Sequence, residues 1–189
     1  MTGHSKGGVV QALIEKFPWH NYKTFLDVGS SEGAYPVEIA RAHSHLTGIG
    51  FDLPPVQPIF EEYIRGFNLQ DRLHFAGGDF FKDPLPSAEV IIMAHILHDW
   101  NLEEKQVLLR KAYASLPADG ALIVCDLIID DDRRENTLGL LMSLNMLIET
   151  PGGFDYTGAD GLSWMKATGF RHAYVEHLVG ADSMIVGIK

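Results

Sequence analysis

The amino-acid sequence predicts an α/β fold: a mostly parallel, seven-stranded sheet covered on both faces by helices and closed by an antiparallel C-terminal hairpin. Three observations carry that reading. Five short, continuously apolar runs alternate with segments of helical period, and strands of that kind are buried on both faces of a parallel sheet. The last two strand-like segments are separated only by Gly180 and Ala181, too few residues for a parallel crossover, so they pair antiparallel. The 189 residues are 46% hydrophobic, which suits one domain with a full core and excludes a mainly disordered chain.

The elements follow in order. Residues 5–17 read as a helix, with Val9, Val10, Leu13, Ile14 and Phe17 at helical spacing and Pro18 ending it. The first strand, 24–28, closes at Gly29, and a helix after Gly33 runs through Val37, Ile39 and Ala40 to about His43. The second strand, 46–51, ends at Asp52 and the Pro54-Pro55 pair, and Phe60, Tyr63, Ile64 and Phe67 space out as the next helix. Strand 73–76 stops at Gly77-Gly78-Asp79, and strand 89–94 precedes a helix over 102–116 with Asn101 as its N-cap and Glu103 and Glu104 in its first turn. The fifth strand is expected over 121–129. Residues 136–150 are apolar almost all round (Leu138, Leu140, Leu141, Leu144, Leu147, Ile148), which predicts a buried helix. A shorter helix over 158–168 ends at Gly169, and strands at 171–179 and 182–188 close the chain.

Charge and cysteine content narrow the function. Fifteen basic and 25 acidic residues give a net charge of −10, which argues against unaided binding to nucleic acid or an anionic membrane. The single cysteine, Cys125, cannot form an internal disulfide, so a reducing cytoplasm is the expected compartment. No apolar run approaches a membrane span of about 18–20 residues. The N-terminus lacks the pattern of a secretory signal. The mixed-sign cluster at 130–135 reads as a solvated turn.

In an open α/β sheet, ligands sit beyond the carboxyl ends of the strands. Three such ends carry matching chemistry. In Asp27-Val28-Gly29-Ser30-Ser31-Glu32-Gly33, Gly29 and Gly33 permit a sharp turn and close backbone approach. This is not the G-x-G-x-x-G of a dinucleotide site, and Glu32 would repel a pyrophosphate, which disfavours NAD, FAD and ATP but not a cationic nucleoside. Asp52 ends the second strand, where a carboxylate accepts from both ribose hydroxyls. Asp79 and Phe80 end the third, offering an acceptor for an adenine amino group and an apolar face for its ring.

These motifs resemble those of class I S-adenosylmethionine (SAM) dependent methyltransferases: FLDVGSSEGAYPVEIA their glycine motif, GIGFDLP (with Asp52 and Leu53) their ribose-binding strand end, and GGDFF their adenine motif. The FDLP and HDW strings narrow the resemblance to the small-molecule O-methyltransferases typified by the plant caffeic acid and flavonoid enzymes. That family includes acetylserotonin methyltransferases and bacterial enzymes of antibiotic and carotenoid pathways. The resemblance runs from about Phe25 to the C-terminus. It implies a Rossmann-like methyltransferase fold, SAM as cofactor with S-adenosylhomocysteine as product, and a small hydroxylated acceptor.

Strand four leads into His95-Ile96-Leu97-His98-Asp99-Trp100. By motif match, His98 is the general base that takes the acceptor's hydroxyl proton, and imidazole has a suitable ordinary pKa. The family's two glutamates around this His correspond to Asp126 and Asp155, each one methylene shorter, with Glu149 a rival for the orienting position. Asp99, Met142, Asn145, Met146 and Glu149 are expected on the acceptor side, Met being an adaptable apolar surface. His95 reads as lining or structural. On spacing alone His95, His98 and Asp99 offer metal ligands, but no further ligand is evident and no metal is expected. Where the family usually has a cofactor-side Lys, this sequence has Ala94. The two shortened carboxylates leave open an N- or C-methyltransferase, or a SAM-binding domain without catalysis.

Members of the resembled family are nearly twice as long, with an N-terminal, winged-helix-like domain that dimerises and closes the acceptor pocket. The expected organisation is therefore a helical lead-in, 1–20, followed by a catalytic domain, 21–189. A homodimer is expected only in a form that carries the N-terminal domain. An exposed apolar patch and weak or absent turnover are expected for the catalytic half alone.

Overall fold

The computed structural model describes residues 3–189, with side chains from Gly8 onward. Seven strands, β1 (Thr24–Val28), β2 (Thr47–Asp52), β3 (Leu73–Gly77), β4 (Val90–Ala94), β5 (Ala121–Asp126), β6 (His172–Val179) and β7 (Asp182–Ile188), form one sheet in the order β3-β2-β1-β4-β5-β7-β6. The first five are parallel, and β7 lies antiparallel between β5 and β6. The terminal hairpin was legible from its two-residue turn. Its insertion, with the last strand inside and β6 at the edge, was not.

Successive strand residues face opposite sides, which splits the core in two. Phe25, Ile92, Ile123, Cys125 and Val186 pack under α1 (Gly3–Lys16), α2 (Ala34–Ala42) and α3 (Gln57–Gly66). Leu26, Val28, Ile91, Met93, Val124 and Ile185 pack under α4 (Leu102–Ser115) and α6 (Gly158–Thr168). Helix starts are capped as their sequences dictate. Asn101 and Glu104 form a reciprocal capping box on α4, and Thr157 and Asp160 form one on α6.

Three expectations are corrected. Glu89 lies before β4; its carboxylate accepts from the Thr24 amide (3.0 Å) and so ties the starts of β1 and β4 together. Strand β5 ends at Asp126 instead of 129, because the Ile128 amide turns back onto the Asp126 carbonyl (2.9 Å) and leaves the ladder. The helix α5 (Thr137–Glu149) is not buried: Leu138, Leu141, Leu144, Leu147 and Ile148 are exposed, from 54% at Leu138 to 84% at Ile148. Both faces of the sheet are already covered by other helices, and α5 buries only Gly139 and Met146.

The close fit of β2 to β1 is testable. A Cβ built on Gly48 would lie 2.2 Å from the ring of the fully buried Phe25. Gly48→Ala is expected to destabilise the fold by about 1–3 kcal/mol through overpacking, read as a lower denaturant midpoint with unchanged slope.

Candidate active site

Strand order reverses between β1 and β4, and a cavity of about 190 Å³ opens there, lined by Asp27, Gly29, Ser30, Tyr35, Ala94, His95 and Ile96, among others. The backbone builds its walls by continuing the sheet past each strand end. The Gly29 amide donates to the Phe51 carbonyl (2.8 Å), Gly78 to Asp52 (2.9 Å) and His95 to Cys125 (2.8 Å). Gly29 and Gly33 both sit at positive φ (75° and 92°). A Cβ at Gly29 would meet Ile96 at 2.4 Å and one at Gly33 would meet Phe60 at 2.8 Å. The room these glycines provide is therefore filled by protein side chains that brace the loop.

Asp52 clips that loop to β2: its Oδ2 accepts from the Ser31 amide (2.8 Å) and its Oδ1 from Leu53 (2.7 Å). The Leu53 side chain is exposed. Asp27 is buried beside the cavity, and desolvation, then the nearby Asp52 charge, push its pKa up to about 8. Asp79 closes its own turn, accepting from the Phe81 amide (2.9 Å) and Lys82 (2.7 Å). Phe80 packs edge-on against Phe81 and Trp100. Asp52 and Asp79 thus carry local structural bonds at the strand ends the sequence singled out.

The second cluster lies beyond β4 and β5. His98 is buried, with Nδ1 3.1 Å from Asp155 Oδ1 and Nε2 3.5 Å from Asp99 Oδ1. Asp155 therefore takes the place beside the imidazole, and the rival Glu149 lies exposed on α5. Asp126 is fully buried; its Oδ2 accepts from the Tyr156 hydroxyl (2.7 Å), and its Oδ1 has no hydrogen-bond partner among the described residues. Burial opposes the His98 imidazolium, but Asp126, then Asp155 and Asp99, outweigh it and raise its pKa to about 9. Ser143 on α5 fixes Asp155 from behind, its Oγ accepting from the Asp155 amide (3.1 Å). Met142 and Asn145 are half-buried on α5, 3.8 Å apart through sulfur and amide, and Met146 is buried.

One nitrogen each of His95 and His98 and one Asp126 oxygen lie within 4.8 Å of one another, so Asp126 joins the two histidines where the spacing had suggested Asp99. His95 holds a left-handed backbone, φ 55°, at the mouth of β4. A larger groove, about 910 Å³, lies between the 130–137 turn, α6 and the β6–β7 hairpin. There Asp130 accepts three amides of its own turn, those of Arg134, Asn136 and Glu135, which hold its pKa down at about 2. The solvated-turn reading of that cluster stands. Tyr35 and Ser30, whose buried hydroxyls lack hydrogen-bond partners among the described residues, were missed because a hydroxyl leaves no pattern in the sequence. Lys105 was missed although a signal existed: it falls in phase with Leu108, Leu109 and Ala112 on the buried stripe of α4.

The family profile of the O-methyltransferase domain matches residues 3–171. The chain belongs to that family. Among similar O-methyltransferase relatives is the tetracenomycin polyketide synthesis 8-O-methyl transferase TcmO of Streptomyces glaucescens, 40% identical over 97% of this chain and 54% of its own length. The N,N-dimethyltransferase OxyT of Streptomyces rimosus is 41% identical over 64% of this chain and 35% of its own. The crystal structure of human N-acetylserotonin methyltransferase in complex with SAM superposes with a TM-score of 0.86 at 29% identity, covering 95% of this chain and 51% of that one. The chain spans about half the length of the curated O-methyltransferases it matches. Among the described residues, no helix is long and apolar enough to cross a membrane.

Asp27 supplies a pH-dependent test of this site. An acid whose folded pKa is raised binds its proton more tightly in the folded state, so stability falls as pH rises from about 4 to about 8. Asp27→Asn removes that loss. Its melting temperature is expected to exceed the parent's at neutral pH, the difference vanishing in acid below the ordinary Asp range.

Proposed function

We propose that the protein transfers a methyl group from SAM to a hydroxyl of a small aromatic or polyketide-like metabolite, with His98 as general base. The observation that supports this best is the buried His98–Asp155 pair, 3.1 Å apart, whose imidazole lies 5.6 Å, ring to ring, from His95 on the wall of the switch-point cavity. The residues present fit the cofactor: Asp27, Ser30, Glu32 and Tyr35 line one cavity, and the buried Ser30 and Tyr35 hydroxyls have no hydrogen-bond partner among the described residues, which suits a cationic amino-acid nucleoside. Asp52 would hold the ribose and Asp79 and Phe80 the adenine, while the 29–33 loop and Leu53 frame them. When bound, SAM supplies an electrophilic methyl on a sulfonium.

The chain's own contribution is alignment and proton removal. Met142, Asn145 and Met146 on α5, with Asp99, would wall the acceptor. Neutral His98 takes the hydroxyl proton, and Asp155 and Asp126 stabilise the imidazolium that forms, as the carboxylate of a triad does. Both aspartates do so despite their shorter reach. The likeness to OxyT favours a second reading, in which the acceptor atom is an amine nitrogen. Parallel assays with phenol and amine panels separate the two.

Calorimetry is expected to show binding of SAM and S-adenosylhomocysteine and none of NAD; a preference for NAD would sink the cofactor assignment. Asp52→Ala should weaken SAM by about 1–3 kcal/mol, the usual cost of leaving hydroxyl donors without their acceptor. His98→Ala should keep S-adenosylhomocysteine binding and lower turnover about 10²–10⁴-fold. Because the base works unprotonated, kcat/KM of the parent should climb with pH toward about 9. Methyl transfer that survives in His98→Ala removes His98 as the base.

A further inference from the structure

Lys105 lies on the inner face of α4 with no exposed surface. An ammonium there costs far more desolvation than a leucine at the same point of the stripe, and a long side chain also loses rotamer entropy. Its bonds explain what that cost supports. The Nζ donates to the Trp100 carbonyl and to the Phe154 carbonyl (3.0 Å), and it sits 3.6 Å over the Phe154 ring. Trp100 is two residues beyond His98, and Phe154 immediately precedes Asp155. These two segments are 57 positions apart at the His98–Asp155 contact; His98 sits in a single 3-10 turn, Leu97–Asp99, and Asp155 in an irregular loop, and neither belongs to a strand of the sheet.

We propose that Lys105 is a positioning residue that clamps the turn carrying His98 to the loop carrying Asp155, and so sets the contact between base and orienting carboxylate. The clamp grips backbone carbonyls, so it fixes both segments without competing for the carboxylates. Asp126, Asp155 and Asp99 surround the ammonium and offset part of its desolvation; burial still dominates and lowers its pKa to about 8. The neutral amine keeps two N–H donors, so the clamp persists when the proton is lost. Ser143 on α5 completes the hold on Asp155 from the other side.

This inference rests on the proposed roles of His98 and Asp155, and its test reads their contact apart from turnover. Nitrogen-15 NMR of the imidazole in the cofactor-free protein should show a slowly exchanging Nδ1 proton and a titration near about 9. In K105M the proton signal is expected to vanish and the titration to fall toward the ordinary histidine value of about 6.5. S-adenosylhomocysteine affinity and cooperative melting should be retained, and K105R should restore both imidazole signals. In turnover, K105M should lower kcat about tenfold or more at unchanged KM for SAM, and adding D155N should cost little beyond that, as expected of coupled residues. Parent-like imidazole signals in a folded K105M, or independent losses from K105M and D155N, overturn the clamp. If K105M does not fold, K105Q is judged by the same signals. If H98A leaves turnover intact, the base assignment fails, and the NMR comparison still decides the clamp.

Discussion

Strand β1 is hydrogen-bonded to β2 on one side and to β4 on the other, and the chain leaves those two neighbours in opposite directions across the sheet. No connection therefore crosses over the carboxyl end of β1, and a crevice stays open there. Everything that carries chemistry hangs from this constraint. The loop after β1 supplies Gly29 to Gly33, β2 ends at the clip Asp52, and the turn after β4 swings His95 and His98 to the rim. The amide bonds that extend each ladder by one residue hold these loops in register with the sheet.

Around the crevice the protein concentrates buried carboxylates, and their effects oppose one another. Asp126 and Asp155 favour the His98 imidazolium, so that pair adds stability below the ordinary histidine pKa and loses it as pH rises through about 9. A general base acts in the opposite range, once the proton has left. At neutral pH His98 therefore rests as the imidazolium, and the role proposed for it calls on the neutral form that these carboxylates disfavour. Asp27 shows the complementary cost: burial beside Asp52 keeps it protonated at neutral pH, and a cation placed in that cavity would restore its charge.

Helix α5 is where local and long-range demands part. Its inner side supplies Ser143 to Asp155 and buries Met146, while its outer side presents a row of leucines to solvent. A helix that is apolar all round predicts burial, but the period of its residues carries no information about whether either face of the sheet has room to cover it.

Much of this molecule could be read from residue order. Alternating apolar runs and helical periods, Asn101 and Gly169 at helix ends, and Gly180-Ala181 between the last strands determined the elements and the parallel character of the sheet, because those signals are local. The strand-end residues Asp27, Asp52, Asp79 and His98 were legible for the same reason: a parallel sheet delivers its strand ends to one side whatever the sequence between them. Only the tertiary structure decided that β7 inserts beside β5, that Asp155 and not Glu149 meets His98, and that Tyr156 takes one oxygen of Asp126. It also decided that Lys105 joins two turns through their carbonyls. These are contacts between residues far apart in the chain, set by which helix covers which face, and packing of that kind leaves no periodic mark along a single sequence.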